Sequence, residues 1–332
     1  MGITAIDISS NPSVRYRECN LNRLAAAQVA YLRVGLGWRD AVRPRGHFDF
    51  SFTDPVFVEI FRRNIAILPV LAGPPANEST APRHPYHFVG YYPPRSPAAF
   101  ARFARAAARW YGPGGGFWKL HPELPYLPIR DWQIWNEPSL PIYWQPKPDA
   151  AAYTRLLRAS ARAIRSADPG ADIVTAGNPY YSYGVFATKY LAAMYRAGAK
   201  GTFNTVGFHP YAGNGGLAFG RVAILRRLMN RYGDRTSAIW ITEFGWASGG
   251  PDRLYTFRPR GQAAQITRFL TLIGRSATRL RLKGVMQAGW HDPPRPRGAH
   301  DWWGMHIGLL DTRGRAKPAL AAFSRFAWGL NG

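Results

Sequence analysis

Short apolar segments alternate with longer amphipathic segments along all 332 residues of the chain. The apolar segments are dense in isoleucine, valine and leucine, which is typical of parallel strands covered on both faces. Eight predicted strands span residues 3–8, 31–37, 66–72, 129–136, 172–177, 205–209, 238–244 and 284–289. Eight predicted helices alternate with them, at residues 21–30, 54–63, 97–111, 150–167, 185–197, 221–232, 262–279 and 318–328. Strict alternation predicts an α/β fold with a parallel sheet, and eight repeats predict a single (β/α)8 TIM barrel over residues 1–332.

An open, doubly wound sheet is the alternative fold. It would need a glycine fingerprint after an early strand, and none follows residues 3–8. The glycine-rich stretch 112–116 follows a helix and lacks the Lys-Ser/Thr ending of a phosphate loop, so it is interpreted as a turn. Long segments follow three of the strands and predict extended loops at the C-terminal face of the strands, where barrel enzymes have their active sites: 73–96, 247–260 and 290–317.

The charge of the chain is strongly positive, because 43 Lys+Arg against 19 Asp+Glu give a formal net charge of +24. The arginines are scattered through helical segments without a block of like charges, so they are interpreted as solvated helix faces. Binding to a polyanion, nucleic acid included, is the alternative. The 12 Trp, 17 Tyr and 18 Phe exclude disorder. A single cysteine, Cys19, excludes a disulfide framework, and no apolar run is long enough to span a membrane.

Two glutamates lie where polar side chains of a barrel enter its mouth, Glu137 after the fourth predicted strand and Glu243 at the end of the seventh. Each follows an apolar, aromatic run, and burying an unpaired carboxylate is costly, so each needs a partner or a task. A salt bridge to a strand arginine is the structural interpretation. The functional one is cleavage of a glycosidic bond, in which one carboxyl group protonates the leaving oxygen and the other attacks the anomeric carbon. Carboxyl groups about 5–5.5 Å apart retain the anomeric configuration, and groups about 6.5–9.5 Å apart invert it.

Neighbouring residues supply further groups for this chemistry. Arg33 and Tyr211 are candidates for keeping the nucleophile ionised, and Asn136 for a hydrogen bond to the sugar 2-hydroxyl. Indole rings bind the apolar faces of sugars. Six tryptophans at or just beyond predicted strand ends predict a carbohydrate platform, with core packing as the alternative for each: Trp38, Trp135, Trp246, Trp290, Trp302 and Trp303.

Two segments resemble the active-site signatures of clan A glycoside hydrolases, which are retaining (β/α)8 enzymes. They are Trp-Gln-Ile-Trp-Asn-Glu-Pro at 132–138 and Trp-Ile-Thr-Glu-Phe-Gly-Trp at 240–246. The His-Pro-Tyr sequence at 209–211 and the segment 308–320 are also similar, so the resemblance extends over nearly the whole chain. Within the clan, the chain most resembles family 39-like and family 5-like members, including bacterial exopolysaccharide hydrolases. Ser139 departs from the pattern, because many relatives carry a second Asn after Asn-Glu-Pro.

The resemblance implies a role for each matching residue. Glu137 would be the general acid/base and Glu243 the nucleophile. Arg33 and Tyr211 would orient Glu243, and Trp290 would form the floor of the cleaving subsite. The residues that would bind or orient the substrate are Arg33, Trp38, Asn136, His209, Tyr211, Trp246 and Trp290.

The implied function is a retaining glycoside hydrolase that cleaves β-linked oligo- or polysaccharides through a covalent glycosyl-enzyme. A transglycosylase using the same residues and a non-catalytic carbohydrate-binding barrel are the alternatives. The arginine excess favours an acidic polysaccharide, and we expect a monomer with no nucleic-acid partner, cofactor or metal. Relatives that act on polysaccharides are exported, so secretion is expected, although residues 3–8 lead directly into the first strand and no signal peptide is recognised.

Metal catalysis is an alternative function for two groups of side chains in proline-rich loops. Neither group has a recognised ligand spacing, so the histidines are interpreted as surface residues. The groups are His84 with His87, and His291 with Asp292, His300 and Asp301.

Overall fold

Parallel strands form one closed barrel in the computed structural model, which describes residues 1–85, 91–180, 183–295 and 297–328. The strands are β1 (Gly2–Thr4), β2 (Tyr31–Gly37), β3 (Ala66–Ala72), β4 (Asp131–Ile134), β5 (Asp172–Val174), β6 (Asn178–Pro179), β7 (Thr205–His209), β8 (Ala238–Phe244) and β9 (Leu282–Ala288). They pair in the order β5-β4-β3-β2-β1-β9-β8-β7-β6, and Val174 of β5 also pairs with Thr205 of β7, which closes the sheet. Because β5 and β6 share one position beside β7, the barrel has eight positions, and the predicted (β/α)8 fold is confirmed.

Helices surround the barrel. They are α1 (Ile6–Ser9), α2 (Val14–Ala26), α3 (Trp38–Ala41), α4 (Asp54–Phe61), α5 (Pro97–Tyr111), α6 (Gly116–Leu120), α7 (Ala150–Arg165), α8 (Ala187–Arg196), α9 (Gly215–Arg231), α10 (Pro259–Leu280) and α11 (Pro318–Trp328). Local chemistry sets several ends. Asp149 caps α7 by accepting hydrogen bonds from the N–H groups of Ala151 and Ala152, and Gly198 takes a left-handed conformation directly after α8 and its cap residue.

Two helices begin earlier in the structure than the sequence predicts. The first predicted helix, 21–30, corresponds to α2, which begins at Val14, because Ser13 Oγ accepts a hydrogen bond from the Tyr16 N–H and caps the helix. It ends at Ala26, since Gln28 has a φ of 57°. The sixth begins at Gly215 instead of residue 221, because Asn214 Oδ1 accepts from the Leu217 N–H. The first turns of both helices are polar or contain glycine, so the apolar periodicity does not show where the helices begin.

Three predicted strands are too long. β1 ends at Thr4, and the rest of the apolar run 3–8 turns into α1, a distinction that periodicity cannot make in so short a run. β4 ends at Ile134 instead of residue 136, because Trp135 has a φ of 69° and leaves the extended conformation. The predicted strand 172–177 ends at Val174, and pairing resumes only at β6.

The inside of the barrel is layered. A small apolar cluster of Leu68, Val174, Trp240 and Met286 lies in the barrel, and a much larger apolar core lies between the strands and the helices. Polar side chains form the next layer of the barrel: Thr4, Arg33, Gln133, His209, Thr242 and Gln287 are all buried. In parallel barrels the C-terminal ends of the strands carry the active site. The polar layer therefore lies where the sequence predicts one. No helix in the described part of the chain is both long enough and apolar enough to cross a membrane.

Candidate active site

Arg33 on β2 is the centre of a hydrogen-bond network at the mouth of the barrel. Its guanidinium is 2% exposed and donates to three side chains. Nε donates to Gln133 Oε1 at 2.8 Å, Nη1 to Glu243 Oε1 at 2.7 Å and Nη2 to Asn136 Oδ1 at 2.7 Å. A planar guanidinium with fixed donor directions holds three acceptors in one geometry. The structure thus brings together four residues from β2, β4 and β8 and the segment after β4, three of which were predicted site residues.

Glu243, near the end of β8, is held as a carboxylate. Its Oε1 accepts from Arg33, and its Oε2 accepts from the Tyr211 hydroxyl at 2.7 Å. Burial by itself would raise the pKa of Glu243. The interactions with His209 and Arg33 and the hydrogen bond from Tyr211 outweigh burial, so the pKa lies below its ordinary value. Arg33 and Tyr211 thus both donate hydrogen bonds to Glu243, as predicted.

Glu137 follows β4 on a strained segment of backbone. Its φ is 44°, and that of Trp135 is 69°, both in the left-handed region that non-glycine residues rarely adopt. The Glu137 N–H donates to the Gly177 carbonyl at 3.1 Å, which anchors the turn. Burial raises the pKa of Glu137, and the charge of Glu243 adds to that increase. The two glutamates therefore have opposite preferences: Glu137 favours the protonated form and Glu243 the ionised form.

His209, at the end of β7, connects the two carboxyl groups and is fully buried. Its Nδ1 lies 2.7 Å from Glu137 Oε1 and 3.6 Å from Glu243 Oε2, and its Nε2 lies 3.0 Å from Thr242 Oγ1. Gly177 makes room for this arrangement. A Cβ atom at that position would lie 2.0 Å from His209 Nε2 and 2.6 Å from Thr242 Oγ1, so only glycine fits.

Glu137, His209 and Glu243 form a compact group. One ligand-type atom from each lies within 4.8 Å of the others, which is also the kind of cluster that could hold a metal ion. The carboxylate oxygens of Glu243 already accept hydrogen bonds from Arg33 and Tyr211, a donor set that suits an anion and opposes a cation.

The histidines that the sequence offers as metal ligands are not part of the group of Glu137, His209 and Glu243. His306 Nε2, which was not among them, bonds Asp301 at 2.8 Å, while His291 Nδ1 lies 3.2 Å from the Tyr16 hydroxyl. Asp292 is paired with Lys317 at 2.5 Å. His84 and His300 are exposed, and His87 lies outside the described residues.

Most of the tryptophans predicted to bind sugar are instead core residues. Trp38 stacks on Phe103 with 6.3 Å between ring centroids, Trp246 Nε1 donates to the Ala212 carbonyl at 2.8 Å, and Trp290 Nε1 donates to Asn20 Oδ1 at 3.1 Å. All three rings are almost completely buried. A fully buried ring does not face a bound sugar, so the expectation that Trp290 forms the floor of the cleaving subsite does not match its position. Trp302, by contrast, is 51% exposed and packs edge-on against Trp303, which contacts Tyr211.

A cleft of about 680 Å³ opens at the mouth, a volume in the range of small-molecule sites. Arg33, Trp135, Asn136 and Glu243 line it, together with residues that sequence reasoning missed: Gly35, Phe52, Tyr91 and Tyr143. Burial and then the charges of Glu137 and Glu243 raise the pKa of Tyr143, so its phenol stays protonated beside the carboxyl groups. The position of Gly35 in the cleft could be predicted from the sequence, because alternate residues of a strand share a face and Arg33 lies two positions earlier. Phe52 and Tyr91 lie on loops, where periodicity carries no signal.

No protein-family model matches the chain, and no curated protein sequence matches it. Solved structures match most of it. A family 39 glycoside hydrolase from the gut symbiont Bacteroides cellulosilyticus WH2 is 19% identical, with a TM-score of 0.67 over 96% of this chain and 62% of the other. A monomeric beta-xylosidase from Caulobacter crescentus CB15 is 16% identical, with a TM-score of 0.68 over 93% of this chain and 64% of the other. One of two fungal beta-1,4-galactanases is 15% identical, with a TM-score of 0.60 over 92% and 90%.

The chain thus spans less than two thirds of the length of the two bacterial proteins, and more of the galactanase. At these identities the similarity establishes a common barrel fold. The resemblance to family 39 and related glycoside hydrolases that the sequence motifs indicate is confirmed at the level of the fold.

Proposed function

We propose that the chain is a retaining β-glycosidase that cleaves an oligo- or polysaccharide by double displacement. One observation carries the proposal: the carboxylate oxygens of Glu137 and Glu243 approach within 4.8 Å, while their environments shift their pKa values in opposite directions. A short separation suits direct attack by a carboxylate and leaves no room for the water that inversion needs. Two carboxyl groups with divergent pKa values supply one acid and one nucleophile.

In the first step, a Glu243 carboxylate oxygen attacks the anomeric carbon as the bond from that carbon to the glycosidic oxygen breaks. Glu137 transfers its proton to that oxygen, so the leaving group departs as an alcohol. The products are a glycosyl ester on Glu243 and an ionised Glu137. Arg33 and Tyr211 orient Glu243 for the attack, and Asn136, fixed by Arg33, lines the cleft where the sugar 2-hydroxyl would lie.

In the second step, the Glu137 carboxylate removes a proton from water as the water oxygen attacks the anomeric carbon. The bond to Glu243 breaks, which restores its carboxylate and releases the sugar with its original configuration. A sugar hydroxyl in place of water would give transglycosylation with the same residues. In this proposal residues 1–332 form one catalytic domain that acts as a monomer. Its substrate is a polymer outside the cytoplasm, so the protein would be exported.

The proposal is tested with aryl β-glycosides, beginning with the β-xyloside and β-galactoside that correspond to the activities named for two structural neighbours. We expect turnover with retained configuration in the first product, followed by NMR. Glu243→Gln is expected to abolish turnover. Glu137→Gln is expected to keep kcat/KM on activated aryl substrates, whose leaving groups need no protonation, and to lower kcat, because the second step loses its base. Asp234→Asn is the matched control, because Asp234 is another buried carboxylate with a tyrosine donor and lies before β8, at the other end of that strand from Glu243. Full activity in Glu243→Gln, or an inverted first product, would contradict the mechanism.

A further inference from the structure

Most residues that line the cleft belong to β2, β3 and the segments that follow β1, β2 and β3, and few come from the segment around Glu137. The lining runs from Glu243 and Asn136 across β2 to the segment after β1, at Ser9–Pro12, and to the residues that begin α4. Glu137 is not among the lining residues, although it lies beside Glu243. A general acid must reach the leaving oxygen, so the leaving group lies on the Glu137 side. The cleft on the opposite side therefore faces the part of the substrate that stays bound to Glu243, the glycone.

Gly35 opens the wall of this cleft. It lies in the middle of β2, on the same inward face as Arg33, yet it is exposed. A Cβ atom built at Gly35 would meet nothing within 4 Å, in contrast to the one at Gly177. The missing side chain thus leaves space beside the reacting centre, and nothing in the packing of the strand requires glycine there.

Phe52, in the segment before α4, offers an apolar surface in the same cleft. Its side chain lines the cleft and is 70% exposed, which is unusual for a large aromatic residue. A flat ring that faces solvent can stack against the C–H face of a sugar, whereas the buried Trp38, Trp246 and Trp290 cannot.

Charges in the cleft are balanced despite the net charge of +24 for the chain. Among the described residues, three arginines line the cleft, and each is paired with a carboxylate. Arg33 Nη1 lies 2.7 Å from Glu243 Oε1, Arg17 Nη2 lies 2.7 Å from Glu59 Oε1, and Arg39 Nε lies 3.4 Å from Asp40 Oδ1. The cleft therefore offers no surplus positive charge to an acidic sugar.

We infer that this cleft binds two or more neutral sugar units on the glycone side, with a distal unit against Phe52, so that the enzyme cuts within a neutral chain and releases oligosaccharides. The inference rests on the proposed function. It also departs from the expectation of an acidic polysaccharide, because the arginine excess lies outside the cleft.

The first test measures products and chain-length dependence. The probes are neutral β-linked oligosaccharides of two to six units, built from the sugar whose aryl glycoside is cleaved, with β-linked oligoglucuronates as acidic comparators. We expect kcat/KM to rise with chain length, the product from the glycone side to contain at least two units, and oligoglucuronates to be poor substrates. Release of single sugars alone from the non-reducing end, or equal turnover of oligoglucuronates, would overturn the inference.

The second test uses variants of the cleft wall. Phe52→Ala is expected to lower kcat/KM by about 2- to 12-fold on the longer oligosaccharides, from the energy of one aromatic contact, with no change on the aryl monoglycoside. Gly35→Met, which fills the space beside the reacting centre, is expected to lower kcat/KM on long and short substrates alike. Leu120→Ala is the matched control, since Leu120 is 65% exposed and does not line the cleft. Equal effects of Phe52→Ala on long and short substrates would refute the inference, whereas an enzyme inactive on every aryl glycoside and every β-linked oligosaccharide would refute the proposed function instead.

Discussion

Removing the Tyr211 hydroxyl tests how the protein orients Glu243, the proposed nucleophile. Tyr211→Phe deletes one O–H donor that lies 2.7 Å from Glu243 Oε2 and keeps the ring and its contact with Trp303. A hydrogen bond to a charged group contributes about 1.5–3 kcal/mol, so its loss corresponds to about a 10- to 150-fold change in rate. The effect should fall mainly on the second chemical step. Charge returns to Glu243 as the glycosyl ester breaks, and the hydroxyl stabilises that charge.

We therefore expect kcat of Tyr211→Phe to fall about 10- to 150-fold and KM to fall with it, because the glycosyl-enzyme accumulates. A pre-steady-state burst of dinitrophenolate from a dinitrophenyl β-glycoside would show that the glycosyl-enzyme accumulates. The hydroxyl also helps to hold the pKa of Glu243 low, so the acidic limb of the kcat/KM profile should move to higher pH.

Tyr195→Phe is the matched control for this prediction. Tyr195 is also a buried tyrosine, and its hydroxyl donates to Asp234 Oδ2 at 2.6 Å, between α8 and the segment that follows α9. Both variants lose a tyrosine–carboxylate hydrogen bond and some stability, but only Tyr211→Phe should change the kinetics. A Tyr211→Phe enzyme with no burst and an unmoved acidic limb would show that the hydroxyl has a structural role alone.

Three further predictions follow from the same site. Burial raises the pKa of Glu137 in the folded state, so the ionised form of Glu137 lowers the stability of the fold as pH rises through that pKa. Glu137→Gln should therefore raise the free energy of unfolding by about 1 kcal/mol at pH 8 and by less near pH 4, as measured by urea titration. Gly177→Ala should displace His209, destabilise the fold by about 1–3 kcal/mol and abolish turnover. Gly220→Ala, inside α9 where a Cβ meets nothing within 4 Å, should leave turnover unchanged and raise stability by about 0.5–1 kcal/mol. Because Arg33 and Tyr211 already donate to Glu243, EDTA should leave turnover intact; a loss restored by Zn²⁺ would assign a metal to the site.

Much of the fold was accessible from the sequence, because strands such as 31–37 and 205–209 are apolar runs bounded by clear breaks. The positions of Glu137 and Glu243 followed from the order of strands, since successive strand ends meet at one face of a barrel. The hydrogen bonds of Arg33 and Tyr211 to Glu243 could be anticipated for the same reason.

The tryptophans could not be placed from sequence. Trp38, Trp246 and Trp290 lie near strand ends, but the direction of a side chain beyond a strand depends on the loop backbone, and all three turn into the core. Phe52 became a cleft residue through the fold of a loop. The charge balance of the cleft depends on which arginines find carboxylates, as Arg17 does with Glu59 across 42 residues of sequence.

The strained backbone at Trp135 and Glu137 has a consequence for how such chains evolve. A left-handed conformation costs a non-glycine residue roughly 1–2 kcal/mol, so a glycine at position 137 would relieve strain and remove a buried acid together. Selection for stability alone would favour that replacement, and only selection for turnover opposes it. Among descendants that keep this barrel, a glutamate retained at that left-handed position should therefore separate lineages that have the proposed glycosidase activity from those that use the fold for another function.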